Sequence, residues 1–142
     1  MKTLSSLFIL FTIVAAGCVY TMTYTNRPED KTDAEAVTNL LFLDLQSKNY
    51  DAAYSLFSDE FYKVTPKDKL KEIFTTIQSE QGDLLEVNLK ECNTKIVTGT
   101  DPSADYFLIY RNKHQKNYCL DSIHLVKENG GKLKIAFFHV GY

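Results

Sequence analysis

Apolar residues repeat at helical spacing behind Thr32, and this period predicts the first helix. Thr32 is followed three residues later by Glu35, which is the spacing of a capping box. Behind this box the apolar side chains fall on one helical face, and Asp44 is the only polar residue on that face. We expect this helix to end near residue 48.

Two further helices are predicted between Asn49 and Gly82. Asn49 is a suitable cap for a short helix over residues 50–57. Thr65 followed by Pro66 is a strong start signal, because a hydroxyl N-cap precedes a proline at the first helical position. The residues behind Pro66 again repeat at helical spacing, and Gly82 is a suitable C-cap.

After Gly82 the apolar period changes from helical spacing to alternation, which predicts strands. Four strands are predicted, at residues 85–96, 106–110, 118–126 and 133–140. The turn Asn129-Gly130-Gly131 joins the last two strands as a tight hairpin, since these residues tolerate positive φ.

Helices that come first and strands that follow predict an α+β fold, with three N-terminal helices packed on a curved four-stranded antiparallel sheet. Helices can cover only one face of such a sheet. Residues 106–110 and 136–138 are apolar at every position, so these strands need cover on both faces. Either the sheet closes on itself or a partner subunit supplies the second cover.

The N-terminal segment is apolar without a strand period, and Lys2 is its only charge before Arg27. Its apolar run, residues 4–16, is shorter than the roughly 20 residues that a membrane-spanning helix needs. A run of this length is typical of a signal peptide.

The run ends in Val14-Ala15-Ala16-Gly17-Cys18, which resembles a bacterial lipobox with Ala15 in the position that leucine usually takes. The resemblance implies a signal peptide over residues 1–17, a lipid on Cys18, a tether over 18–31 and a domain over 32–142. It also implies a lipid-anchored protein of the cell envelope, on the outer membrane in a Gram-negative cell because Val19 follows the cysteine. The alternatives are an ordinary cleaved signal with an incidental cysteine, or an uncleaved N-terminal anchor.

Two local segments resemble small secreted NTF2-like proteins of the cystatin-like fold. Residues 49–58 (NYDAAYSLFS) are similar to that family's helical segment, and residues 127–135 (KENGGKLKI) to its final hairpin, with Leu133 in place of the common tryptophan. The resemblance covers residues 33–142 and implies a cone, in which three helices pack inside a strongly curved sheet. It also implies a dimer through the sheet in many members. Some members use the cone as a ligand pocket or active site and others are lipoproteins, so the fold does not settle the function.

Composition excludes several classes of function. The chain has 142 residues, a formal net charge of −2 and 44% hydrophobic residues, which excludes a strongly basic nucleic-acid binder and a highly charged disordered chain. Lys67, Lys69 and Lys71 alternate with acidic and apolar residues, so they indicate a solvated helix face. We find no glycine-rich phosphate loop, serine nucleophile elbow or metalloprotease motif, and we expect no cofactor, no metal and no nucleic-acid partner.

With Cys18 lipidated, Cys92 and Cys119 form an even pair in an oxidising compartment, where a disulfide would be stable. A simple meander places them on its first and third strands, about 9.6 Å apart. That separation exceeds the roughly 7 Å limit for the two Cα atoms of a disulfide. A disulfide and two buried thiols therefore both stay open, as does an intermolecular bond.

Five side chains are candidates for lining a pocket in the cone: Asp44, Tyr106, Tyr110, Asp121 and His139. Asp121 and His139 lie on the strands of the last hairpin, and a looser register would pair them as an acid and a base. Asp44 is either a pocket residue or a solvated residue at the edge of its stripe, and the tyrosines are either pocket or core. We expect His114 to be solvated in a polar turn.

Three functions follow from these features. The first is a non-enzymatic binding or interaction module of the envelope, and the second is a small-molecule carrier or enzyme that uses the cone. The third is an immunity or inhibitor lipoprotein, which an acidic patch around residues 98–105 would favour. Two or more convergent polar groups with shifted pKa values in the cone would favour the second. A filled cone with an exposed apolar sheet face would favour the first.

Overall fold

A computed structural model describes residues 20–128 and 131–142 of the chain. The elements follow one another as β1 (Thr21–Thr25), α1 (Pro28–Gln46), α2 (Tyr50–Tyr54), α3 (Asp59–Val64), α4 (Lys67–Gln81), β2 (Leu84–Glu86), β3 (Leu89–Gly99), β4 (Ser103–His114), β5 (Tyr118–Lys127) and β6 (Leu133–Gly141). The α+β prediction is confirmed, although the described residues form four helices and six strands.

All strands belong to one antiparallel sheet with the order β1-β3-β4-β5-β6, and β2 pairs with the end of β4 beyond β3. The sequential order of β3 to β6 arises because short turns join neighbouring antiparallel strands. Register shifts interrupt the ladder at Leu89/Glu91 and at His124/Leu125. Such bulges bend a strand and increase its twist, which helps the sheet to curve around the helices.

The helices cover one face of this sheet, which we call the inner face. Alternate residues of β4 point to it, and five of them are buried: Tyr106, Leu108, Tyr110, Asn112 and His114. Aromatic rings fill the space between α4 and β6, where Phe74 lies 6.2 Å from Phe57 and 6.0 Å from Phe138 between ring centroids. The opposite side of the sheet, which we call the outer face, carries the other residues of each strand.

The N-terminal boundary of the folded unit is wrong in our prediction, because residues placed in a tether belong to the fold. Strand β1 pairs with β3 along Thr21–Thr25, and helix α1 begins at Pro28. Arg27 precedes that helix and forms two hydrogen bonds with the buried Asp30, at 2.7 and 2.8 Å. Alternating threonines suit an edge strand even though they supply little apolar period.

The predicted capping box at Thr32 is also wrong. Thr32 lies one turn inside α1, where its hydroxyl donates to the carbonyl of Pro28 at 3.0 Å. Proline at the first helical position overrides the box, because its fixed φ and missing N–H suit a helix start. The predicted signal peptide and Cys18 lie outside the described residues.

Helix α3 is absent from our prediction, and the second helix is shorter than predicted. Ser58 begins α3, and its side chain accepts a hydrogen bond from the backbone N–H of Phe61 at 3.0 Å. The third predicted helix begins at Lys67 with Pro66 as its N-cap, one residue later than the sequence indicates. The C-cap at Gly82 is confirmed.

Gly82, the C-cap of α4, has a φ of 79°, and a Cβ added to it would lie 2.5 Å from Oε1 of Gln115. Gly82→Ala is expected to lower the free energy of unfolding by about 2 kcal/mol, from backbone strain and crowding together. Gly131→Ala is the matched control, since Gly131 has the same φ of 79° with nothing within 4 Å. It should cost about 1 kcal/mol in the same urea titration. Equal costs would mean that the approach of Gln115 contributes nothing.

Among residues 20–128 and 131–142, no helix is both long enough and apolar enough to cross a membrane.

Candidate functional site

A small cavity lies inside the cone between α2, α4 and the inner face of the sheet. Its volume is about 30 Å³. Its wall includes aromatic and polar side chains, among them Tyr50, Phe74, Gln78, His114, Asp121 and Phe138. Most of the wall is apolar, so the few polar groups determine what the cavity can hold.

Asp121 is the one acidic residue in this wall. It lies on β5 among inward-facing residues, and only 3% of it is exposed. Its Oδ2 accepts a hydrogen bond from Nδ2 of Asn112 at 2.6 Å. Its buried Oδ1 has no hydrogen-bond partner among residues 20–128 and 131–142. Burial raises the pKa of Asp121 to about 6, against the opposing effect of the Asn112 bond.

Asn112 fixes the orientation of that carboxylate. It is fully buried on β4, where its Oδ1 accepts from the backbone N–H of Asn88 at 3.2 Å. Because Oδ1 of Asn112 accepts this bond, the orientation of its amide group is determined, and Nδ2 is the atom that faces Asp121.

His114 closes the same end of the cavity. It is 7% exposed, and its Nδ1 lies 3.1 Å from the carbonyl oxygen of Gly82. A carbonyl only accepts, so Nδ1 donates, and a neutral ring keeps Nε2 as an acceptor. The prediction of a solvated His114 is therefore wrong, because β4 extends to this residue and the helix C-cap covers it.

Of the five predicted pocket residues, only Asp121 lines this cavity. Tyr106 and Tyr110 are buried in the core, and the hydroxyl of Tyr110 lies 2.6 Å from that of Thr38. Burial raises the pKa of Tyr110 to about 12, so its hydroxyl stays protonated. Asp44 is half-buried on α1, outside the cavity wall.

Asp121 and His139 do not form a pair. In the observed register Asp121 lies opposite Val140, and His139 lies opposite Ser122. Because strand side chains alternate, this offset of one residue places His139 on the outer face. There it is exposed, with its ring 6.4 Å from that of Phe137.

Cys92 and Cys119 are both free thiols. Cys92 lies opposite Leu108 and Cys119 opposite Asn112, on the two sides of β4. Of the alternatives left open, a disulfide between these two residues is therefore not formed, because they lie on strands on either side of β4. Burial raises the pKa of both thiols, so both are protonated at neutral pH.

The outer face carries a row of three aromatic side chains. Phe107 on β4 lies opposite His124 on β5, which lies opposite Phe137 on β6. Phe107 and Phe137 are 39% and 48% exposed, and they line a shallow groove of about 600 Å³. His124 also contacts Asp105 at 3.2 Å. We call Phe107, His124 and Phe137 the aromatic row.

Sequence reasoning missed Asn112 and His114 as parts of the site. We assigned both to a polar turn over residues 112–117, although they continue the alternation of Tyr106 and Tyr110 on the inner face. The alternation of inward-facing residues along the strand was the available signal. It was missed because the last inward-facing residues are polar and were taken for part of a turn.

No three His, Cys, Asp or Glu side chains within the described part of the chain cluster in a way that would hold a metal ion.

The fold is the α+β cone of NTF2-like proteins. A crystal structure from Shewanella frigidimarina NCIMB 400, described as a "putative ketosteroid isomerase", is similar to this chain with a TM-score of 0.54 and 14% sequence identity. The match covers 79% of this chain and 97% of that one, so it supports the predicted fold. No family model matches the chain, and no curated protein matches it either.

Proposed function

We propose that this protein is a lipid-anchored, non-enzymatic interaction module of the bacterial cell envelope. It is held to the membrane through Cys18 and associates through its outer face with a second copy. The aromatic row carries this proposal, because it leaves two phenylalanine rings exposed on the face that the helices do not cover.

The contrast between the two faces supports binding over catalysis. Aromatic and aliphatic side chains fill the cone, and the cavity that is left is about 30 Å³, far below the roughly 300 Å³ of a usual substrate pocket. Asp121 is the only cavity residue whose pKa is clearly shifted towards neutral pH. A second convergent group of that kind would have favoured an enzyme.

The charges around the aromatic row suit a second copy of the chain. Lys95 lies opposite Asp105 on the same face, so both signs flank the apolar centre. In a twofold arrangement each subunit presents the same patch. The aromatic rows of the two copies can then pack together, and Lys95 of each copy can lie near Asp105 of the other. Such a contact would cover the apolar surplus that the sequence of β4 and β6 indicates.

Phe107→Lys tests this association, because it places a charge in the centre of the proposed contact. The full-length protein in detergent is expected to be a dimer, and the variant should raise the dimer dissociation constant by at least about 30-fold. Native mass spectrometry over a concentration series measures it. Val64→Lys is the control, since Val64 is 84% exposed and lies on helix α3, outside the aromatic row.

A wild-type protein that stays monomeric at all concentrations would contradict self-association. A dimer that Phe107→Lys leaves intact would show that the contact lies elsewhere on the molecule.

The unpartnered oxygen of Asp121 favours a second candidate function, a carrier of a very small molecule in the cone. The isomerase description belongs to the Shewanella protein, and at 14% identity it supplies no activity to this chain. An immunity or inhibitor role has less support, because Asp105, at the end of the segment 98–105, lies on β4 and contacts His124.

A further inference from the structure

We propose that the cone cavity binds a small primary ammonium cation, held by the unpartnered carboxylate oxygen of Asp121 and by three aromatic rings. This site lies inside the cone, so it is separate from the outer face on which the proposed association depends.

The hydrogen bonds around Asp121 favour a ligand that is a hydrogen-bond donor. Asp121 presents Oδ1 as an acceptor, and its neighbour Asn112 already uses Nδ2 on Oδ2. The Nδ1–H of His114 is directed at Gly82. Gln78 donates from Nε2 to Asp83 at 2.5 Å. Each of these nitrogens donates to another acceptor and none bonds Oδ1 of Asp121. A buried oxygen without a donor is costly.

The aromatic wall favours a donor that carries positive charge. Tyr50, Phe74 and Phe138 all line the cavity together with Asp121. The ring of Phe74 lies 5.6 Å from that of Tyr50 and 6.0 Å from that of Phe138 between centroids. Aromatic faces attract cations through their quadrupole, and a carboxylate beside them adds a charge-assisted hydrogen bond.

The size of the cavity limits the ligand to about two heavy atoms. A volume of about 30 Å³ holds roughly two water-sized groups, since each needs about 10–15 Å³. Methylammonium fits this limit, with its nitrogen towards Asp121 and its methyl group against the rings. A ligand of this size can reach only millimolar affinity.

Binding should depend on pH through the charge of Asp121. Its pKa of about 6 leaves it ionised at pH 7.5 and mostly protonated at pH 5. Cys119 and Tyr142 are the neighbours that interact with it by charge, and burial keeps both neutral in this range by raising their pKa values. His114 and Tyr50 face the same cavity, and the other lining residues are uncharged. Because His114 lines the same cavity, a variant of Asp121 is needed to assign the pH dependence to Asp121.

The test is a titration of the full-length protein with ¹³C-methylammonium chloride, followed by the NMR shift and linewidth of the probe. We expect saturable millimolar binding at pH 7.5 and about tenfold weaker binding at pH 5. Asp121→Asn should weaken binding at pH 7.5 by at least about tenfold. Asp44→Asn is the matched control and should bind as the wild type does. Methanol at equal concentration tests whether the positive charge is required.

Three outcomes would overturn the proposal: no saturation below about 100 mM, equal binding by Asp121→Asn, or equal binding of methanol. If Asp121→Asn does not fold, saturation of the wild type and its discrimination against methanol still decide whether the cavity binds the cation. Loss of methylammonium binding with an intact dimer refutes this site alone, and a monomer that binds methylammonium refutes only the association.

Discussion

Asp121→Asn is expected to remove a pH dependence of stability that amounts to about 3 kcal/mol between about pH 3 and about pH 8. The pKa of Asp121 rises from its ordinary value of 3.8 to about 6 in the folded protein, mainly because burial disfavours the ionised form. The stabilisation from its neutral form is complete below about pH 4 and is lost as the pH rises through about 6. Asparagine has nearly the same shape and no charge, so it avoids this loss.

Urea unfolding of wild type and variant, followed by circular dichroism at several pH values, measures the difference. As the pH rises, the free energy of unfolding of the variant should increase relative to that of the wild type, by about 3 kcal/mol in total. Asp44→Asn is the control, because Asp44 is half-buried and outside the cavity. Parallel pH profiles for wild type and Asp121→Asn would show that Asp121 titrates normally in the folded protein.

Cys18→Ser is expected to abolish lipid attachment completely, since the sulfur of Cys18 is the proposed acylation site. Metabolic labelling with a radioactive fatty acid, followed by immunoprecipitation, should label the wild type and leave the variant unlabelled. The variant should also keep the mass of the unprocessed chain, because cleavage before residue 18 is coupled to the cysteine in the lipobox resemblance.

Cys92→Ser is the matched control for lipid attachment, because Cys92 is a free thiol on the sheet. It should be labelled as strongly as the wild type. A labelled Cys18→Ser protein would refute the lipid anchor and leave the folded domain unaffected.

Much of the fold could be predicted because its strands and its long helices carry a clear period. The last two predicted strands agree closely with β5 and β6, whereas the predicted strand 106–110 covers only the middle of β4. Helix α4 has its C-cap at the predicted Gly82. The N-terminal strand of the fold was harder to predict. Strand β1 consists of alternating threonines with Met22 and Tyr24, and it is stabilised by pairing with β3, which a local pattern cannot show.

The candidate site was only partly predictable. Asp121 could be singled out as a carboxylate on an apolar strand. Its partner Asn112 comes nine positions earlier and lies on the neighbouring strand β4, so their contact depends on the register between the two strands. The register between β5 and β6 separates Asp121 from His139 by one step and places them on opposite faces. A shift of one residue reverses the face of every side chain, so such pairs depend on the turn and the bulge that set the register.

Photo-crosslinking in intact envelopes tests the central claim most directly. A photoreactive phenylalanine analogue replaces Phe107 in the full-length protein, and the same analogue at Val64 is the control. We predict that position 107 captures a second copy of this chain, identified by mass spectrometry of the crosslinked peptides, and that position 64 does not. Capture of only a different protein at position 107, or no crosslink there at all, would contradict the account.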